Sequence, residues 1–139
     1  MKEYSFLNTI VLVNGIEITE WAEGDDVIQI GRINDSLSHV IGASGEMAVA
    51  ISADRSGQFT FNLQQTAESN AFLTGLVTAA ENGAFVPVFV QFKDTEGNDL
   101  ASGTQGYIPK PADMTRGSGI NGQEWRVVVE RLDMLLGGA

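Results

Sequence analysis

Gln58-Phe59-Thr60-Phe61-Asn62-Leu63-Gln64 alternates without a break, and the residues after it, Gln65-Thr66-Ala67-Glu68-Ser69-Asn70-Ala71-Phe72-Leu73, change to another period. Alternation of period two is the pattern of a half-buried strand. Phe59, Phe61 and Leu63 face inward; Gln58, Thr60, Asn62 and Gln64 face outward. Phe72, Leu73, Leu76, Val77 and Ala80 then recur at helical spacing and form one apolar face. The expected helix covers about 67–82, with Thr66 as N-cap, Glu68 at the positive end of the dipole and Gly83 as the stop. Gly75 weakens this helix slightly. Its apolar face has nothing to cover it except the open side of a sheet.

On both sides of this junction the pattern is that of strands. Residues 6–13 form a β-rich run, Asn14-Gly15 is a two-residue hairpin signal, and 16–21 alternates again. Gly24-Asp25-Asp26 turns the chain into 27–33, and 46–53 carries Met47, Val49 and Ile51 on its larger-residue face. Asp54-Arg55-Ser56-Gly57 ends in Gly, as type I turns prefer. Strands resume at 84–93 and 100–109, a loop rich in Gly and Pro covers 110–122, and 124–135 is the last strong strand. About eight strands and one helix predict an α+β, mainly β fold of two packed antiparallel sheets, sandwich- or barrel-like. At 139 residues, 43% of them hydrophobic, the chain is expected to be a single domain, 1–139, with mobile termini including Gly137-Gly138-Ala139.

Two segments do not suit an isolated monomer. The stretch Asn34, Asp35, Ser36, Leu37, Ser38, His39, Val40, Ile41 and on to Ser44 reads as one long loop, and such loops in small domains are functional or ordered by a partner. The outward row Gln58, Thr60, Asn62 and Gln64 carries no charge. Exposed sheet edges normally carry charges against association, so this row suits continuation of a sheet into a neighbour.

Chemistry finds little support. There is no cysteine, hence no disulfide, thiolate ligand or thiol nucleophile. Gly117-Ser118-Gly119-Ile120-Asn121-Gly122 matches GxGxxG, but a Pro-containing loop precedes it and a strand follows, where dinucleotide binding needs a strand and then a helix. Glu17, Glu20, Glu23, Asp25 and Asp26 are five acids without a base among them, and they fall on strand exteriors and a turn, where acids serve solubility. Asp94, Glu96, Asn98 and Asp99 lack the spacing of an EF-hand. His39, the single histidine, lies beside Asp35, Ser36 and Ser38 in one loop, a poor source of triad geometry, and Gly42-Ala43-Ser44-Gly45 is not a nucleophile elbow. No catalytic, cofactor-binding or metal-binding residue is assigned, and no enzyme is expected.

Eighteen acids against eight bases give a net charge of −10. Such a surface repels nucleic acid, and solubility alone accounts for it; a wall that DNA slides past needs the same property. No apolar run approaches the roughly 18–20 residues that span a bilayer, so no membrane insertion is expected. The start, Met1-Lys2-Glu3-Tyr4-Ser5, does not read as a secretory signal, which implies folding in the cytoplasm.

The segment from Asn62 to Leu73 resembles the strand-to-helix junction of the tail tube proteins of contractile-tailed bacteriophages. Tyr4-Ser5-Phe6, Gly31-Arg32, Gly42-Ala43-Ser44-Gly45, Asp54-Arg55-Ser56-Gly57 and Trp125-Arg126 extend the resemblance in order over nearly the whole chain. The family carries a Ser-Pro pair where this chain has Ala67-Glu68, and both pairs suit a first helical turn. The resemblance implies two packed sheets with a flanking helix, a fold similar to that of non-contractile tail tubes and the type VI secretion tube. It further implies stacked hexameric rings within a sheath in a virion assembled in the host cytoplasm. The implied partners are further copies of the chain, the tail sheath, the tape-measure protein, and baseplate and tail terminator proteins, with DNA passing through unbound. In that setting Gln58, Thr60, Asn62 and Gln64 are expected on a lumen-facing or subunit-joining face, residues 34–44 as an inter-ring loop, and the acids at 17–26 as repulsive lumen residues. The alternative from another class is a non-catalytic β-sandwich module for carbohydrate or surface binding. Exposed aromatic platforms would mark it, and Trp21, Trp125, Tyr4 and Tyr107 are scattered.

Overall fold

Asn14 and Gly15 take left-handed backbone, with φ of 51° and 81°, in the computed structural model, which describes residues 4–95 and 97–137. A two-residue turn of this kind folds β1 (Thr9–Val13) onto β2 (Ile16–Glu17). The alternation expected over 16–21 is split by the fold. The Ile18 amide still donates to Val11 O, but the chain then leaves β1, and Trp21 bridges to Leu63 on another strand.

The other strands are β3 (Ile28–Arg32), β4 (Leu37–Ile41), β5 (Met47–Ile51), β6 (Gly57–Gln64), β7 (Val88–Asp94), β8 (Leu100–Tyr107) and β9 (Gly122–Leu135), with one α-helix, α1 (Ser69–Glu81), between β6 and β7 and a short 3-10 helix, Phe6–Asn8, where the β-rich run 6–13 is expected to begin. The described residues are therefore mainly β, with two antiparallel sheets and one α-helix, as the pattern predicts. The sheets are unequal: seven strands in the order β2-β1-β7-β8-β9-β6-β3, and two in β4-β5.

The large sheet curls into a barrel. Val11 and Val13 of β1 share one core with Phe59, Phe61 and Leu63 of β6, although three strands separate them in the sheet. The segment after β2 closes the seam: having left β1, it accepts the Gln64 amide at Glu20 O and donates from Ala22 to Asn62 O, both at 2.9 Å. Close packing inside the curl requires Gly103, because a Cβ there would stand 2.7 Å from Val129 Cγ1 and 2.8 Å from Phe59.

Helix α1 buries Leu73 and Val77 in this core and packs Phe72 and Leu76 against it, as its spacing predicts. Its cap differs from expectation. Thr66 lies in a turn, and the helix starts after Glu68, which makes no side-chain cap bond. The first turn is tied down by tertiary bonds instead. Asn70 donates from Nδ2 to Gln64 O and accepts Trp125 Nε1 at Oδ1, each at 2.9 Å. Gly83, with φ of 87°, ends the helix as predicted.

Residues 34–44 are not a loop. β4 lies within them and pairs with β5 through Leu37↔Ile51, His39↔Val49 and Ile41↔Met47. The hairpin projects from the barrel with every residue of both strands exposed. Strand 84–93 begins late, at Val88, directly after Pro87, which has no N–H to give a ladder. Of the termini expected to be mobile, residues 1–3 and 138–139 lie outside the described residues. Gly137 is anchored, its amide donating to Asp99 Oδ1 at 2.7 Å.

Candidate assembly surfaces

The outward face of β6 is the polar row that the sequence singles out. Gln58, Thr60 and Asn62 are half-buried and Gln64 is exposed, while Phe59, Phe61 and Leu63 are sealed beneath. α1 packs on the core side, so the helix does not cover the row. Cross-strand partners extend it: Gln29 of β3 and Arg126 of β9 flank Thr60, and Glu124 sits opposite Asn62. The strip on β6 is uncharged, but its β9 border is not.

One expectation needs correcting. β6 is bonded to β9 on one side and β3 on the other, so its backbone cannot extend the sheet into a neighbour. The ends of the seven-stranded sheet are β2 and β3. Only the side-chain face of β6 is available for contact.

The acids do not form one group. Glu23 and Asp26 share a hollow of about 470 Å³ with Asn62 and Gln64, and Asp26 accepts a bond from Gln29 Nε2 at 3.3 Å. Glu20, with φ of 64°, contributes its carbonyl to the seam, and Asp25 lies at an exposed turn. Glu17 is elsewhere, on β2 opposite Leu12. Sequence proximity put all five together; the chain's passage from one side of the barrel to the other divides them.

The hairpin is fixed at its base. Arg32 donates from Nε and Nη2 to Leu132 O and from Nη1 to Ser36 Oγ. Asn34 Nδ2 donates to Asp54 Oδ2 at 2.7 Å, and Asp54 Oδ1 accepts both the amide and the hydroxyl of Ser56. These donors, the Ser56 hydroxyl first, hold the Asp54 carboxyl down at about 2. Asn34 and Asp35 thus belong to the root and Ser36 to its clamp. Leu37, Ser38, His39, Val40 and Ile41 form the first arm. On one face Leu37, Ile41, Met47, Val49 and Ile51 surround His39. Ile51 is 75% exposed and Met47 62%.

Two clefts were invisible in the sequence. One, of about 750 Å³, opens at the seam between β3 and the ends of β1, β7, β8 and β9, lined by Phe6, Trp21, Ile28, Ile30, Phe92 and Met134. Edge-to-face contacts build its floor, Phe6 to Trp21 at 5.9 Å and Trp21 to Phe61 at 6.0 Å between ring centres. The other, of about 510 Å³, lies on the outer face around Ile10, Leu12, Leu100 and Leu135. These residues come from β1, β3, β7, β8 and β9 and, for Phe6 and Trp21, from segments outside the strands, and no local spacing joins them.

Among the described residues, no three His, Cys, Asp or Glu side chains are grouped to hold a metal. Asp94 accepts the Gly97 amide within its turn, and Asp99 accepts the Gly137 amide, which ties the chain after β9 to that turn; Glu96 lies outside the described residues. Residues 117–121 are loop, and β9 follows them instead of a helix. Among the described residues no helix is long and apolar enough to cross a membrane.

Residues 1–137 match the family model of the bacteriophage PhiTE tail tube protein. No curated protein matches the sequence. The chain is similar to the tube-terminating cap of the anti-feeding prophage, at a TM-score of 0.66 and 9% identity, covering 97% of this chain and 92% of that one. It is similar to a chain of the PVC sheath-tube complex, an extracellular contractile injection system in its extended state, at 0.62 and 11%, covering 96% and 91%. Hcp1 from Flavobacterium johnsoniae aligns at 0.51 and 14%, covering 94% and 95%. At these identities the structural likeness speaks for the fold.

Proposed function

This chain belongs to the bacteriophage PhiTE tail tube protein family, and we propose that its copies form hexameric rings that stack into the conduit of a contractile tail. The structural tube role comes with the family. The rest is our reading of the surfaces. The Gln58, Thr60, Asn62 and Gln64 row lines the lumen, with Glu23 and Asp26 at its end. Amides and hydroxyls there offer a passing polyanion no counter-charge, and the chain's net charge of −10 adds repulsion. DNA and the tape-measure protein slide past without being held. The hairpin reaches the adjacent ring or subunit, while sheath, baseplate and terminator proteins meet the outside and the ends. Assembly takes place in the host cytoplasm, and the chain does no chemistry.

The observation that carries this reading is the β4–β5 hairpin, an apolar arm held firmly at its root and left exposed by the described residues of its own chain. A two-stranded hairpin is marginal alone in water. Its ordered root and bare face suit an arm that other copies bury. Negative-stain microscopy of the purified protein tests the reading. Rings or tubes are expected; a monomer at all concentrations, above all one that binds glycans, would overturn it.

A further inference from the structure

Gly follows Asn directly at three places, Asn14-Gly15, Asn82-Gly83 and Asn121-Gly122. In such a pair the glycine nitrogen can attack the asparagine Cγ, because no Cβ shields it. We propose that the fold leaves this chemistry open at Asn121-Gly122 and closes it at the other two, so that the chain modifies its own backbone at the entrance to β9.

The reaction takes up one water and releases one ammonia. The Gly122 nitrogen bonds to Asn121 Cγ, the Cγ–Nδ2 bond breaks, and the proton lost from Gly122 leaves with the side-chain nitrogen as ammonia. Water then opens the cyclic imide. Opening at Cγ gives aspartate; opening at the main-chain carbonyl gives isoaspartate, with the backbone routed through Cγ.

The three sites differ in what holds them. Asn14 is clamped on β7, its amide donating to Phe89 O and its Oδ1 accepting the Phe89 amide, both at 2.9 Å. At Asn82 the attacking nitrogen is engaged, because the Gly83 amide donates to Ala80 O at 3.2 Å. Gly122 has no such tie. Gln64 donates away from β9, to Glu20 O, and Gln65 donates to Asn121 O, which makes Gln64↔Gly122 a non-hydrogen-bonded pair. The Gly122 N–H therefore points away from β6, and β8 joins β9 only from Val128 onward. The Asn121 side chain is held by one bond, Nδ2 to Thr115 O at 3.3 Å, and residues 108–121 form neither helix nor strand. Turning Cγ onto the nitrogen strains only the last ties to β6, Gln65 N to Asn121 O at 3.1 Å and Asn121 N to Gln65 Oε1 at 3.4 Å.

The product has a defined place. Asn121 lines the 470 Å³ hollow with Glu23, Asp26 and Gln64, so a carboxylate at 121 adds negative charge there. Isoaspartate also lengthens the backbone beside the first pair of β9 with β6.

Ageing the full wild-type chain in heavy-oxygen water at mildly alkaline pH, followed by peptide mass spectrometry, tests the proposal. Aspartate and isoaspartate carrying the heavy oxygen should accumulate first at position 121. Asn14 should react at least about tenfold more slowly, because freeing it breaks two hydrogen bonds. In denaturant the three sites should react at similar rates. Gly122→Ala, whose Cβ would stand 3.4 Å from that of Ala22, should keep its melting curve and lose the modification. First reaction at Asn82 or Asn14 in the folded chain overturns the proposal, and so does an Asn121 that reacts only in denaturant. Aspartate without isoaspartate at 121, persisting in Gly122→Ala, shows direct hydrolysis of the side chain and overturns it too.

Discussion

Strand β6 and the β4–β5 hairpin adjoin in sequence and carry similar apolar rows, yet their burial is opposite. Phe59, Phe61 and Leu63 are sealed in the barrel, whereas Met47, Val49 and Ile51 stand in solvent. A row of this kind promises a cover without saying which chain provides it. For β6 the cover is the chain's own core; for the hairpin, we propose, it is another copy.

Substitutions in the two regions should therefore act on different quantities. Phe61→Ala should cost about 3–5 kcal/mol of folding stability, read by denaturant unfolding of the free chain. Val49→Asp should change the same measurement by less than about 0.5 kcal/mol, because the site is exposed, yet abolish ring or tube formation in sedimentation and microscopy. If Val49→Asp unfolds the monomer, or leaves normal tubes, the contrast breaks. Asn70→Ala tests the link between helix and barrel. It leaves the Trp125 indole N–H without its acceptor and should cost about 1–3 kcal/mol.

The smallest expected effect is at the hairpin root. The Asp54 carboxyl is held at about 2, below its ordinary 3.8, so its folded state prefers the ionised form. Its clamp is complete above about pH 4 and is lost as pH falls through about 2. Protection of the Ser56 amide from exchange, taken relative to an unstructured amide at the same pH, should fall over that window in the wild type. In Asp54→Ala it should already be low at neutral pH. A Ser56 protection factor that does not change between about pH 4 and pH 2 would contradict the clamp.

How much of this was legible depended on where each residue's partner lay. β6 and α1 could be read because Phe59 to Leu63 and Phe72 to Ala80 repeat their period within a few residues and bury it locally. The hairpin turn at Asn14-Gly15 was legible for the same reason. β4 escapes a local reading because Leu37, Val40 and Ile41 do not alternate cleanly among serines, and among the described residues its ladder is with β5 alone. Thr66 points to too early a helix start, since the anchor is Asn70 bonding to Trp125, 55 residues away. The seam cleft was wholly illegible. Trp21 gives no signal that it will bridge to Leu63, and barrel closure alone brings Phe6, Ile28 and Phe92 together. The polar row was read correctly as outward-facing, but nothing local showed that β6 would be bonded on both sides.

The most direct test is a cryo-EM map of tubes assembled from the purified chain. The account predicts that each hairpin's apolar face is buried against another copy, with Gln58, Thr60, Asn62 and Gln64 facing the lumen. A map with the hairpins free in solvent and that row on the outer surface would contradict it.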